Sequence, residues 1–317
     1  VDYKKLGIIV ALCLCVVVGT LIFIRDHVIE KTVFIPDITD LTKNYLASEE
    51  INAAKEALAD PNIKPVEVIT TLQDGTPRVA IVFDGMPDRP LASRLIDVLK
   101  KHKAEAVFFV EGENIADQPE VLRVLSEGGQ AIGNYTYTGL AAMERQSVDQ
   151  QLLQICRTQK VITMNDVLAP TLFRAPRTVF TDGLLKSVRA AGLSYAVKEN
   201  VRFQRNTLHN QQDADAYAAS IQRGSIIAIP INHPVEQKAD DPVVREETPA
   251  VDMKPTIHDD NSSGPPPQED LAVELDLLLT ALEHQGLQTT YVNQFRKIYY
   301  IPAASPLPET PPQGGAK

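Results

Sequence analysis

Between residues 79 and 292, short runs of β-branched and aromatic residues alternate with stretches whose apolar positions return every three or four residues. The first kind of run predicts strands at 79–83, 106–110, 131–137, 171–174, 194–198, 225–231 and 289–292. The second kind predicts helices at 91–101, 119–128, 148–164, 182–191, 214–223 and 271–285, several of them stopped by a glycine. Strands that alternate with helices pair in parallel and are joined by crossovers. The expected fold is therefore α/β, a seven-stranded and distorted (β/α) barrel, with an open doubly wound sheet as the rival.

The ends of the chain follow other patterns. Residues 6–24 form an unbroken apolar run, LGIIVALCLCVVVGTLIFI. As a helix it would reach about 28 Å, close to the hydrocarbon thickness of a bilayer. No small-x-small cleavage site follows it, so the expectation is one uncleaved transmembrane anchor behind a short tail, 1–5. Lys4 and Lys5 precede the run, which favours a large domain on the extracytoplasmic side of the cell membrane. Residues 25–77 read as a stalk containing one short helix capped by Ser48. The domain proper is expected at 78–302. Within it, 234–268 is rich in Pro, Asp and Glu and reads as a mobile acidic loop, and 303–317 reads as a disordered tail.

Charge narrows the partners. A formal net charge of −10 in 317 residues, with no basic cluster, argues against nucleic acid. Cys13 and Cys15 lie inside the apolar run, and Cys156 sits on the apolar face of a predicted helix, where a packed thiol is expected. No G-x-S-x-G elbow, G-x-G-x-x-G turn or P-loop occurs.

Four segments carry a resemblance. Val79-Ala-Ile-Val-Phe-Asp84-Gly85-Met-Pro-Asp88 stands where TFDDGPD would. Ala106-Val-Phe-Phe-Val-Glu-Gly112-Glu-Asn-Ile115 matches FF-V-x-G-x-x-I. Gly133-Asn134-Tyr135-Thr136-Tyr137-Thr138-Gly139 stands for GNHTxxH, and Phe173-Arg174-Ala-Pro176-Arg177-Thr178 for FRxPxG. With the closing helix and strand, these make the chain from Val79 to about Lys297 resemble the polysaccharide deacetylase family (NodB homology, carbohydrate esterase family 4). The resemblance implies a barrel enzyme that uses a divalent metal such as zinc to hydrolyse sugar N-acetyl groups. It also implies that the metal ligands are the residues here replaced by Gly85, Tyr135 and Gly139. Two glycines and a neutral phenol offer a divalent ion nothing to bind, so the cofactor is expected to be lost.

The remaining candidates follow from the same comparison. Asp84 aligns with the family's catalytic base, and Pro230 stands where a late histidine would be. An Asp facing both Arg174 and Arg177 would stay charged and serve poorly as a base near neutrality, or would be only a structural partner of Arg174. Asp84, Tyr135, Tyr137, Arg174 and Arg177 are the candidate substrate-binding residues, with no confident catalytic residue. Tyr135 and Tyr137, alternating on one strand, would face opposite sides; an inward Tyr135 could stack on a sugar or plug the vacated metal cavity. A relocated metal site would have to draw on Asp88, His233, His258, Asp259 and Asp260, whose spacing matches no ligand signature. The expected function is a metal-free pseudoenzyme binding an envelope or exported carbohydrate polymer. The absence of Trp, the usual sugar platform, keeps a second class open: a structural or regulatory subunit binding another envelope protein. An active deacetylase with a relocated metal is the third.

Overall fold

The computed structural model describes residues 45–71, 75–232 and 269–292. Among them, no helix is long and apolar enough to cross a membrane. The run at 6–24, the segments 234–268 and 303–317, and His233, His258, Asp259 and Asp260 lie outside the described residues.

The strands are β1 (Glu67–Ile69), β2 (Arg78–Asp84), β3 (Ala106–Val110), β4 (Ala131–Asn134), β5 (Leu172–Phe173), β6 (Tyr195–Val197), β7 (Val201–Arg202), β8 (Ile226–Pro230) and β9 (Gln288–Thr289). All pairings among them are parallel, in the order β1-β6-β5-β4-β3-β2-β8-β7, with β9 joined to the start of β2. The sheet is thus a curled, incomplete barrel whose end strands, β1 and β7, are not paired to each other. Among the described residues there are nine strands where seven were expected. The two additions, β1 and β7, are three and two residues long. Runs that short leave no alternation to detect.

The helices are α1 (Ser48–Leu58), α2 (Arg89–Lys101), α3 (Gly112–Asp117), α4 (Pro119–Glu127), α5 (Val148–Met164), α6 (Asp182–Ala190), α7 (Gln211–Ala218) and α8 (Glu269–His284). Capping fixes several starts. Asp88 accepts a hydrogen bond from the Leu91 amide at 2.8 Å and opens α2. Asn210 accepts from Asp213 at 3.0 Å and starts α7 three residues earlier than its apolar pattern implied. The cap of α1 is Ala47 in the left-handed region rather than Ser48.

Period-two alternation sorts the strands into two faces. Ala80, Val82, Val107, Phe109, Leu172, Val197, Ile226 and Ala228 point inward and form one buried cluster. Their neighbours meet the helices; Phe83 and Phe108, for example, stack with ring centroids 4.3 Å apart. Continued to the strand ends and the one or two residues beyond them, the inward parity selects Asp84, Glu111, Arg174, Glu199 and Pro230.

The stalk reading needs correction. Helix α1 buries Ala54 against Leu152 and Cys156 of α5, with Ala190 and Ala191 alongside, and Lys160 pairs with Glu50 at 2.5 Å. β1 extends the sheet beside β6, and Ile69 joins the inner cluster. Residues 46–71 therefore belong to the domain; their apolar positions are too few to announce it in isolation. Cys156 is packed as expected, and burial pushes its thiol up to about 12. A chain beginning at residue 78 is expected to unfold more easily than one beginning at 46. Losing Val66, Val68, Ile69 and Ala54 removes at least about 3 kcal/mol of apolar burial, or about 6–12 °C in a thermal melt. Equal melting temperatures would return these residues to a stalk.

Candidate functional site

The site lies at the C-terminal ends of the strands, where inward parity runs into loop. Asp84 closes β2 with 2% of its surface exposed, and Arg174 follows β5 with 4%. The Arg174 Nε donates to Asp84 Oδ1 at 2.5 Å and Nη2 to Oδ2 at 2.9 Å, a two-pronged pair. Nη1 donates to the Val197 carbonyl at 3.2 Å and to Glu199 at 2.7 Å. Burial alone would lower the Arg174 guanidinium, but the Asp84 and Glu199 charges overrule it and raise it further. Burial would raise Glu199, and the Arg174 charge brings it below the usual carboxylate range instead.

Of the two expected arginines, Arg174 is the one that grips Asp84 with both prongs. Arg177 is exposed, at the rim of a cavity of about 210 Å³ that Asp84 and Arg174 also line. Its backbone lies in the left-handed region at φ 45°.

The two tyrosines separate as expected, though not along a strand. β4 ends at Asn134, whose Oδ1 accepts from the Thr136 amide at 2.9 Å while its Nδ2 donates to the Ile155 carbonyl at 3.0 Å. This side-chain turn breaks the ladder and puts Thr136 at φ 67°. Tyr135 is 3% exposed and packs into the inner cluster. Burial, then the nearby Asp84 charge, push its phenol well above the ordinary range. Tyr137 is half-buried beside α5, where Arg157 lies over its ring at 3.8 Å from the centroid.

The alignment's metal positions are filled by side chains that motif reading passed over. Gly85 has φ 107°, outside the range that suits a side chain, and a Cβ there would sit 2.8 Å from the Asn232 Cβ and Nδ2. The Asn232 Nδ2 donates to the Met86 carbonyl at 3.0 Å and to Glu111 Oε1 at 3.1 Å. Glu111 Oε2 accepts from the Met86 amide at 2.8 Å and from Asn114 at 3.1 Å. Gly139, at φ 71°, directs its missing Cβ toward the same carboxylate, 3.4 Å from Glu111 Cγ. Glu111 is 4% exposed; burial raises its carboxyl, and the hydrogen bonds only partly offset that. The one signal for Glu111 in the sequence is its place in inward register directly after the apolar β3.

This donor set does not fit the family's metal. Position 85 has no room for a ligand, position 139 abuts Glu111, and Tyr135 is a neutral phenol in a hydrophobic setting. Glu111 faces amide donors rather than a cation. Among the described residues, no three His, Cys, Asp or Glu side chains gather closely enough to hold an ion. Asp88, from the relocated alternative, is committed to capping α2.

Two outcomes follow. Restoring Asp, His and His at 85, 135 and 139 is expected to leave the protein substoichiometric in zinc, because Asn232 and the φ of residue 85 oppose the first ligand; adding Asn232→Gly should raise metal content, measured by mass spectrometry of the purified chain. Zinc uptake by the triple variant alone would contradict the blocked site. The second concerns pH. A folded carboxyl raised above its unfolded value retains its proton where the unfolded chain has lost it. The stability it contributes is present below the ordinary glutamate range and is lost as pH rises through the raised value. Urea unfolding should therefore show the wild type losing stability relative to Glu111→Gln across that window. A difference that does not change with pH would remove Glu111 as a titrating group.

Comparison with known proteins places these residues in context. The polysaccharide deacetylase family model matches residues 72–196. A chitooligosaccharide deacetylase of Sinorhizobium fredii is 31% identical over 192 residues, 58% of this chain and 87% of that protein. The peptidoglycan-N-acetylmuramic acid deacetylase PdaC of Bacillus subtilis is 33% identical over 142 residues, 44% of this chain but 27% of that one. Among solved structures, a CE4 family pseudoenzyme from Bacillus anthracis matches with a TM-score of 0.55 at 16% identity, over 72% of this chain and 68% of that chain. At that identity the structural likeness speaks to the fold alone. With a family model over its central strands and a relative covered across most of its length, the chain belongs to the polysaccharide deacetylase family.

Proposed function

We propose that this chain is a membrane-anchored, extracytoplasmic deacetylase-like protein that binds an envelope or exported glycan without hydrolysing it. One observation carries the reading. The space that a metal ligand at 85 would use is closed by Asn232, which is hydrogen-bonded to Glu111 at 3.1 Å, and position 139 lies in van der Waals contact with that Glu111. The mouth itself persists, with a cavity beside Asp84 and Arg174. That a structural neighbour is a pseudoenzyme, with a mutant having restored enzymatic activity, supports the idea that this fold outlives its chemistry. The relatives' printed activities on chitooligosaccharide and peptidoglycan supply the glycan classes to try. The apolar run at 6–24, preceded by Lys4 and Lys5, supports the anchor and its orientation.

The test uses the full-length chain in detergent. Mass spectrometry should find substoichiometric zinc, cobalt and nickel, and N-acetylated chitopentaose should release no acetate above background. Calorimetry with chitopentaose and peptidoglycan fragments should nevertheless detect binding. Acetate release would make it an enzyme, and silence with every glycan would leave a protein-binding role. Arg174→Ala is a poor binding probe, because it strands a buried Asp84 charge and costs about 3–5 kcal/mol of stability; exposed Arg177 is the better site.

A further inference from the structure

Away from the mouth, helix α8 is fastened on two flanks by histidines. His102 is the C-cap of α2, and the chain turns left-handed at Lys103 (φ 52°) so that the Ala104 amide closes on the Leu99 carbonyl at 2.8 Å. The ring is set against α8 with 6% of its side chain exposed. Its Nε2 lies 2.8 Å from Asp276 Oδ1, and its Nδ1 lies 2.8 Å from Glu283 Oε1. Those carboxylates are seven positions apart, close to two helical turns, and so share one face of α8. On the other flank, His284 Nδ1 lies 3.0 Å from Asp215 Oδ1 of α7. Both rings sit at helix C-termini, where a positive charge also meets the negative end of the helix dipole.

Proton counting decides what His102 must carry. A neutral imidazole has one N–H and one lone pair, the protonated ring has two donors, and an ionised carboxylate only accepts. With a carboxylate oxygen at hydrogen-bond distance from each nitrogen, a neutral ring would set one lone pair against another. The imidazolium satisfies both. Burial would raise the Asp276 carboxyl, but the hydrogen bonds from Lys101 and His102 bring it below the usual carboxylate range. Lys101 Nζ donates to both Asp276 oxygens, at 2.7 and 2.8 Å. The other charged neighbours are Arg78, Lys103 and Glu105, which with His102 and Glu283 line a cavity of about 470 Å³ beside the starts of β2 and β9. Glu105 accepts from the Tyr291 amide at 3.2 Å.

We propose that His102 is a proton-operated clasp: protonated, it bridges Asp276 and Glu283 and holds the C-terminal half of α8 on α2, and on losing its proton it releases one of the two. The hold is complete while the ring is charged. It is lost as pH rises through the range in which an imidazole gives up its proton, about pH 5–8. Leu275, Leu278, Leu279 and Leu282 stay buried in either state, and their apolar area outweighs one ion pair. Release therefore loosens the end of α8 and does not undock the helix.

Hydrogen–deuterium exchange of the full-length chain in detergent tests the clasp, read by mass spectrometry at about pH 5.5 and about pH 8 and corrected for the intrinsic rate at each. Peptides spanning 276–284 should lose protection about three- to tenfold at the higher pH, and those of α5 should not change. His102→Gln should abolish the difference by exchanging fast at both values. Glu283→Gln, at a half-exposed side chain, gives a second reading should the buried substitution fail to fold. Its amide can donate to a neutral Nδ1 while Nε2–H serves Asp276, so protection should persist at the higher pH. Equal protection of 276–284 at both values in the wild type would overturn the proposal. So would a pH difference that survives intact in either variant, because the sensing group would then not be His102.

Discussion

The buried pair between Asp84 and Arg174 is the interaction around which the mouth is organised. Two charges taken from water cost several kcal/mol each, and only a well-aligned contact with further hydrogen bonds offsets that. Arg174 meets the requirement by tying its own strand end, that of β5, to two others: the carboxylate that closes β2, and the Val197 carbonyl of β6 with Glu199 just beyond it. In an incomplete barrel, where β1 and β7 do not pair, such a cross-link ties parts of the sheet that backbone ladders leave far apart. It also explains why these two residues remain in a chain whose neighbouring metal positions have changed. Their partners are each other, so neither can be lost singly.

The same division runs through the other motifs. Asn134 and Thr136 hold the loop after β4 through side-chain bonds to backbone, a task indifferent to metal. Gly85, Tyr135 and Gly139 stand where the alignment places ligands, and each now serves packing. Residues that build the rim match the family pattern, and the three positions the resemblance assigns to ligands hold two glycines and a buried tyrosine.

Much of this was legible in the sequence because alternation fixes faces. The long strands β2, β3 and β8 and the amphipathic helices α2, α5 and α8 announced themselves, and Tyr135 and Tyr137 parted as their spacing implied. What stayed hidden depended on closeness across the sheet. Glu111 and Asn232 are 121 positions apart and meet only because β3 and β8 flank β2. The strands β1 and β7 were too short to show a period, and α1 carries too few apolar residues to declare a docking partner. Strand ends were overrun where a side chain, Asn134 above all, captured the backbone.

The amide of Asn232 has a consequence for how the protein behaves in its surroundings. A mouth braced by a bound ion changes with the supply of that ion and with any chelator nearby. Here the brace between the loop after β2 and the end of β8 is written into the polypeptide and arrives at folding, already at full occupancy. The width of the opening between these two segments is thereby set by hydrogen bonds within the polypeptide, one of which ends on a carboxyl that titrates.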